Sequence, residues 1–366
     1  MSDGSDDEDS GDVAEAAQAA PLLRRENSAL VGQGRAEAAL LAAWRTGRLP
    51  HAWLLTGPRG IGKATLAFRF TRFLLAQDGA GPALFGGPQP TGLAVDPASP
   101  AFRRVASGGH ADVLLIERAY DEKRKRRRSE IVIDDVRQIG EFLHLTPAEG
   151  GWRIVIVDGA DEMNRNAANA LLKVLEEPSR RSLLLLTSAS PGRLLPTIRS
   201  RCRHLALTLL SEGQIADLLK QYRPTLTPDE VSGLAGLAGG SIGRALDLAG
   251  AGGLALYREM MALLTALPAL DGAAVDRLAD RLGRAGAEES FRLMAELLPR
   301  RIARMIRDTS AGIDPDLARL AARRSLDRWV EVWEKLNRLF ALVDVVTLDR
   351  KQAMLNAFFA LEEAAR

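Results

Sequence analysis

The chain has 366 residues, of which 46% are hydrophobic and 26% charged, and a formal net charge of +2. That length predicts two or three domains of an ordinary globular protein. No apolar run is long enough to cross a bilayer, and the acidic start lacks the basic and apolar parts of a secretory leader. A single cysteine, Cys202, excludes an internal disulfide and a thiolate zinc cage, so a reducing cytoplasm is the expected compartment.

Asp3, Asp6, Asp7, Glu8, Asp9, Asp12 and Glu15 crowd the start among Ser, Gly and Ala. Such a stretch buries too little apolar surface to offset its chain entropy, so residues 1–25 are expected to be a disordered acidic tail. Beyond it, short apolar runs at 52–56, 113–116, 154–157, 183–187 and 204–207 alternate with helical patterns. That alternation predicts a parallel sheet covered by helices. Asp134 is placed to cap a helix with the face Val136, Ile139, Phe142 and Leu143. A further helix carries Ala167, Ala170, Leu171, Val174 and Leu175 and stops at Pro178. The Gly- and Pro-rich stretch 78–100 reads as a long loop. The run 123–128 (KRKRRR) reads either as a solvated loop or as a phosphate-contacting patch.

After residue 207 the strand signals stop. Thr227, Pro228, Asp229 and Glu230 form a capping box with proline at the first helical position, and residues 211–250 predict three small helices. Amphipathic stretches follow at 254–267, 288–307, 325–342 and 348–363. Trp329, Trp333, Leu336 and Phe340 recur at helical spacing, which predicts core packing or, alternatively, a partner-helix face.

The chemistry concentrates in the first half. Gly57, Pro58, Arg59, Gly60, Ile61, Gly62 and Lys63 follow a predicted strand and open a helix, the setting a phosphate loop requires. Its glycines let backbone N–H groups converge on phosphate oxygens, and Lys63 adds a full charge. The next position should be Ser or Thr to ligate magnesium but is Ala64, and Thr65 lies about 100° further round the helix. The run 153–157 ends in Asp158, as a buried strand ends at a magnesium-binding acid. Gly159 then stands where many ring ATPases carry a water-activating glutamate. Asp161 and Glu162 follow, and are expected to face solvent.

Leu30-Val31-Gly32-Gln33, Pro50-His51-Ala52, the run 169–178 (NALLKVLEEP) and Ser200-Arg201-Cys202 together resemble a bacterial DNA polymerase III clamp-loader AAA+ subunit. The two losses, at Ala64 and Gly159, make the chain similar to delta-prime-type members rather than to the ATP-hydrolysing gamma/tau type, which remains the alternative. The resemblance implies an α/β P-loop AAA+ domain over 26–207, a small three-helix lid over 208–250 and an all-α collar domain over 251–366. It implies gamma/tau and delta subunits as partners, together with a sliding clamp and primer-template DNA met in the assembled complex, and no membrane. Arg201 would be an arginine finger acting in trans on a neighbour's ATP. ATP or ADP with magnesium would lie against Gly57, Gly60, Gly62, Lys63, Thr65, Asp158 and Ser188, the last at a polar sensor position. A cysteine zinc module common in such subunits is not expected here. Gly243 stands where active relatives carry a sensor arginine, which puts a second nucleotide sensor in doubt.

Overall fold

All five apolar runs give strands, the last shifted to 203–206; the three central ones are buried on both faces, whereas the edge strands at 113–116 and 203–206 are half-buried or exposed. A computed structural model describes residues 24–78, 90–121, 126–149, 151–250, 252–307, 315–346 and 348–366. Residues 1–23 of the expected tail and 123–125 of the basic run therefore lie outside the described residues, whereas Arg24 and Arg25, expected in the tail, are described. In chain order come α1 (Gly34–Arg45), β1 (Ala52–Thr56), α2 (Lys63–Asp78), α3 (Pro100–Ser107) and β2 (Val113–Ile116). Then follow the two-residue strands β3 (Tyr120–Asp121) and β4 (Arg126–Arg127), α4 (Ile133–His144), β5 (Arg153–Val157), α5 (Arg165–Glu176) and β6 (Ser182–Ser188). Next are α6 (Pro196–Arg201) and β7 (Arg203–Ala206).

The main sheet has the order β2-β5-β6-β1-β7 with every pairing parallel. Alternate residues of β6 serve opposite faces. Leu183 and Leu185 join Leu40, Phe70, Phe73 and Leu74 from α1 and α2, whereas Leu184 and Leu186 join Val136, Ile139, Leu171 and Ile198 from α4, α5 and α6. Each fully buried leucine contributes about 1.5–3 kcal/mol of transfer free energy, so β6 is fixed at the centre of the sheet.

One helix cap corrects the sequence reading, and a second was not anticipated. Asp134 does not cap α4; it pairs with Arg137, and the carboxylate of Asp135 accepts the Val132 N–H instead. Asn164 caps α5 by accepting the Ala167 N–H at 2.9 Å.

The helical remainder begins with α7 (Glu212–Tyr222), α8 (Pro228–Leu237) and α9 (Ile242–Gly250). Thr227 and Glu230 form the expected capping box, with bonds of 2.9 and 3.3 Å. The chain divides into two compact units, Met1–Arg244 and Ala245–Arg366. The second contains α10 (Gly253–Thr265), α11 (Gly272–Gly283), α12 (Glu288–Arg307), α13 (Pro315–Ala321), α14 (Leu326–Val346) and α15 (Arg350–Ala365). Its core includes Met260, Leu278, Met294, Ile302, Trp329, Leu336 and Phe358. Along α14 the buried stripe runs Trp329, Val332, Leu336, Phe340, while Trp333 is 36% exposed, so the expected stripe is off by one residue at its second position. Among the described residues no helix is long and apolar enough to cross a membrane.

Candidate functional site

The strand ends at the carboxyl edge of the sheet carry nearly all the residues singled out from the sequence, which is where α/β sheets bind ligands. The phosphate loop joins β1 to α2. Gly57, Gly60 and Gly62 have φ of 140°, 74° and 100°, conformations open to glycine and poorly tolerated by other residues. Gln33, buried beside the loop, donates to the carbonyls of Ile61 (3.3 Å) and Thr208 (2.8 Å) and ties the loop to the chain leaving β7.

Lys63 is only 8% exposed. Its Nζ donates to the carbonyls of Gly57 (2.7 Å) and Pro58 (2.6 Å), and burial lowers its pKa to about 8, opposed by the nearby Asp161 charge. Ala64 is buried and Thr65 half-buried. The start of α9 closes on the loop: Gly243 N–H donates to Gly60 O (3.0 Å) and Ser241 Oγ donates to Arg59 O (2.7 Å). A Cβ on Gly243 would lie 2.6 Å from Gly60 Cα. Position 243, the expected slot of a sensor arginine, is thus a backbone-to-backbone contact with no room for a side chain.

Asp158 ends β5, with β6 lying between it and the phosphate loop. Its Oδ1 accepts the Thr187 hydroxyl at 2.6 Å, and Thr187 Oγ1 in turn accepts the Gly159 N–H at 2.9 Å. Asp158 Oδ2 pairs with Arg24 Nη1, and Arg24 Nη2 reaches Glu117 at 2.9 Å. Ser188, the expected sensor, has a fully buried hydroxyl without a partner. The hydroxyl that meets the acid is Thr187, one residue earlier and unmarked by any sequence motif. Gly159 has φ of 84°, and a Cβ there would lie 2.9 Å from Glu162 Oε2.

Asp161 and Glu162 do not face solvent as expected. Asp161 is 8% exposed, and its carboxylate accepts the N–H groups of Ala189 (3.1 Å) and Ser190 (2.9 Å). Glu162 is paired with Arg59 and Arg118, each at 2.7 Å. The first acid holds the turn after β6 and the second is neutralised, so neither is placed as a spare general base.

Magnesium does not fit the residues present. Ala64 offers no hydroxyl, and both oxygens of Asp158 are engaged by same-chain donors. The loop keeps the shape of a phosphate cradle while the metal side of the site is filled by the protein itself.

Arg201 lies apart from this cluster, at the last position of α6. Its Nη2 pairs with Glu176 at 2.7 Å and its Nη1 donates to Thr197 O at 3.2 Å, with the side chain 36% exposed. Cys202 is buried and its pKa is raised to about 11 by that burial, so it is an inert thiol.

A parallel sheet in this order, with a glycine loop opening α2 and an acid ending β5, defines a P-loop α/β protein of the AAA+ kind. A family model described as "DNA polymerase III, delta subunit" matches residues 32–211, and the DNA polymerase III subunit delta' of Pseudomonas aeruginosa is 38% identical over 191 residues. The chain belongs to the DNA polymerase III clamp-loader AAA+ family. The delta' alignment covers 52% of this chain and 53% of that protein. The subunit gamma/tau of Mycobacterium bovis is 30% identical over 288 residues, 75% of this chain and 46% of its own. The chain thus spans about half the length of the curated relatives it matches. A solved gamma-subunit-related protein from Thermotoga maritima overlays 89% of this chain and 100% of its own at 20% identity and a TM-score of 0.42, too loosely to transfer any residue.

Proposed function

We propose that the chain is a delta-prime-type clamp-loader subunit, silent at its own phosphate loop, that lends Arg201 to the ATP site of a neighbouring gamma/tau subunit. It would assemble with gamma/tau and delta subunits and help place a sliding clamp on primed DNA. Residues 26–207 would be the AAA+ domain, 208–250 the lid and 251–366 the collar. ATP or ADP, where the loop takes one, would rest on Gly57, Gly60, Gly62 and Lys63. The observation that carries the reading is the contrast between two ends of one domain: every acid near the loop is engaged by same-chain donors, whereas Arg201 is held only by an exposed carboxylate and a carbonyl. An arginine supplied across a subunit boundary neutralises charge that develops on the transferring phosphoryl group and makes hydrolysis depend on assembly.

The test is Arg201→Ala in a reconstituted loader. Assembly on size-exclusion chromatography should be unchanged, while DNA- and clamp-stimulated ATPase falls on the order of a thousandfold at the site that depends on the finger. Unchanged turnover removes the finger role. A second reading, a gamma/tau-like ATPase, is favoured by the gamma/tau match extending over 75% of the chain. Steady ATP turnover by the isolated chain, abolished in Lys63→Ala, would establish it in place of the first.

A further inference from the structure

At the ends of the neighbouring strands β2 and β5, a guanidinium from the chain's own N-terminal segment bridges two acids. Arg24 reaches Asp158 Oδ2 through Nη1 and Glu117 Oε2 through Nη2, while the other oxygen of Glu117 takes Arg127 at 2.9 Å. The segment that carries Arg24 is fastened in place. Arg72, on the phosphate-loop helix α2 and 1% exposed, donates to the carbonyls of Arg25 (2.9 Å) and Asn27 (2.7 Å). Arg69 donates to Ser28 O, and Asn27 Nδ2 donates to the Tyr222 hydroxyl of α7 at 3.1 Å. Burying the Arg72 guanidinium is expensive unless its hydrogen bonds are met, and here it meets two of them on the backbone of this segment.

We infer that Arg24 is an internal cation standing where a phosphate-loop protein places its divalent metal. A carboxylate pair that converges on one point, beside a hydroxyl such as Thr187, is the oxygen-rich and negatively charged seat that hard cations take. Here the seat is filled by a planar guanidinium whose two forks match the two carboxylates. The acids therefore remain in this chain because they anchor its N-terminal segment, with no metal required. This assignment is independent of the trans role of Arg201, and either can fail without the other.

Mn²⁺ alone is the probe, counted on the 366-residue chain from the electron paramagnetic resonance of the free ion. Arg24 is 48% exposed, so Arg24→Ala should fold, which circular dichroism checks. The wild type should lack any Mn²⁺ site that Asp158→Asn removes. Arg24→Ala should acquire one, with a Kd of about 10⁻⁴–10⁻³ M, and the Arg24→Ala/Asp158→Asn double variant should lose it. Equal Mn²⁺ binding by wild type and Arg24→Ala overturns the inference, whether both bind or neither does. Binding in Arg24→Ala that survives Asp158→Asn overturns it too, because the ion then sits elsewhere.

Discussion

Lys63 is the residue at which the burial of the loop has a measurable signature. Its ammonium is buried against two carbonyls of the loop, and desolvation lowers its pKa from 10.5 to about 8. Between those values the unfolded chain binds the proton and the folded chain does not, so this group's contribution to stability rises with pH across that window. The penalty is fully present below about pH 8 and amounts to at most about 3–4 kcal/mol, less once solvent screening is counted. Lys63→Met should therefore flatten the stability profile between about pH 8 and 10.5 relative to wild type. Urea midpoints of the two proteins across that range check it; parallel profiles would show that the ammonium is not desolvated. At this scale sequence and structure agree best where a residue's role is fixed by its neighbours in the chain. The three loop glycines, Lys63 and Asp158 sit where the strand–loop–helix context put them. Thr187, Arg24 and Arg72 escaped, because their roles come from partners far away in sequence: 29 positions for Thr187 and Asp158, and 47 for Arg72 and Arg25. A short hydroxyl in an apolar strand and a stray arginine carry no local pattern that marks them. Gly159 was legible as a missing glutamate, but the positive φ that makes glycine the natural occupant is visible only in the fold.

Among the elements, α9 has the closest relation to the loop. Gly243 is an ordinary helical glycine by backbone, yet an added Cβ would meet Gly60 Cα at 2.6 Å. Backbone cannot swing aside as a side-chain tip can, so Gly243→Ala should part helix from loop and cost about 1–3 kcal/mol. Gly140, inside α4, has nothing within 4 Å of an added Cβ. Gly140→Ala should instead stabilise by about 0.5–1 kcal/mol through helix propensity alone. Chemical denaturation of the pair separates contact from propensity; equal effects would mean that the α9 contact does not form. The five strands of the main sheet were legible because each follows an apolar run, which needs no knowledge of its partners; β3 and β4, with the polar sequences Tyr120–Asp121 and Arg126–Arg127, were not anticipated. Helix starts were less so. Asp134 looked like a cap, but α4 begins one residue earlier, and the carboxylate of Asp135 reaches back to the Val132 N–H. Helix α11 was not anticipated, although Val275, Leu278, Ala279 and Leu282 keep helical spacing; glycines at its first and last positions disguise it as loop.

Across the whole molecule the acids and arginines are shared out so that the phosphate loop is self-contained while Arg201 is lightly held. Arg201 and Glu176 are 36% and 49% exposed, and a pair that exposed contributes about 0–1 kcal/mol once solvent screening is counted. A weak restraint suits the proposed finger, which would exchange its own carboxylate for a neighbour's phosphate. On that basis Glu176→Gln should leave the chain's unfolding midpoint nearly unchanged and should not lower the ATPase of a reconstituted loader. Arg201→Lys, by contrast, keeps the charge and loses the planar fork that contacts two oxygens at once. It should assemble normally yet turn over far closer to Arg201→Ala than to wild type. Single-turnover ATP hydrolysis in the assembled complex, with assembly verified beforehand, distinguishes the two demands. Full activity in Arg201→Lys would reduce the arginine to a point charge, and lost activity in Glu176→Gln would make the carboxylate a needed guide for the finger, not a resting place.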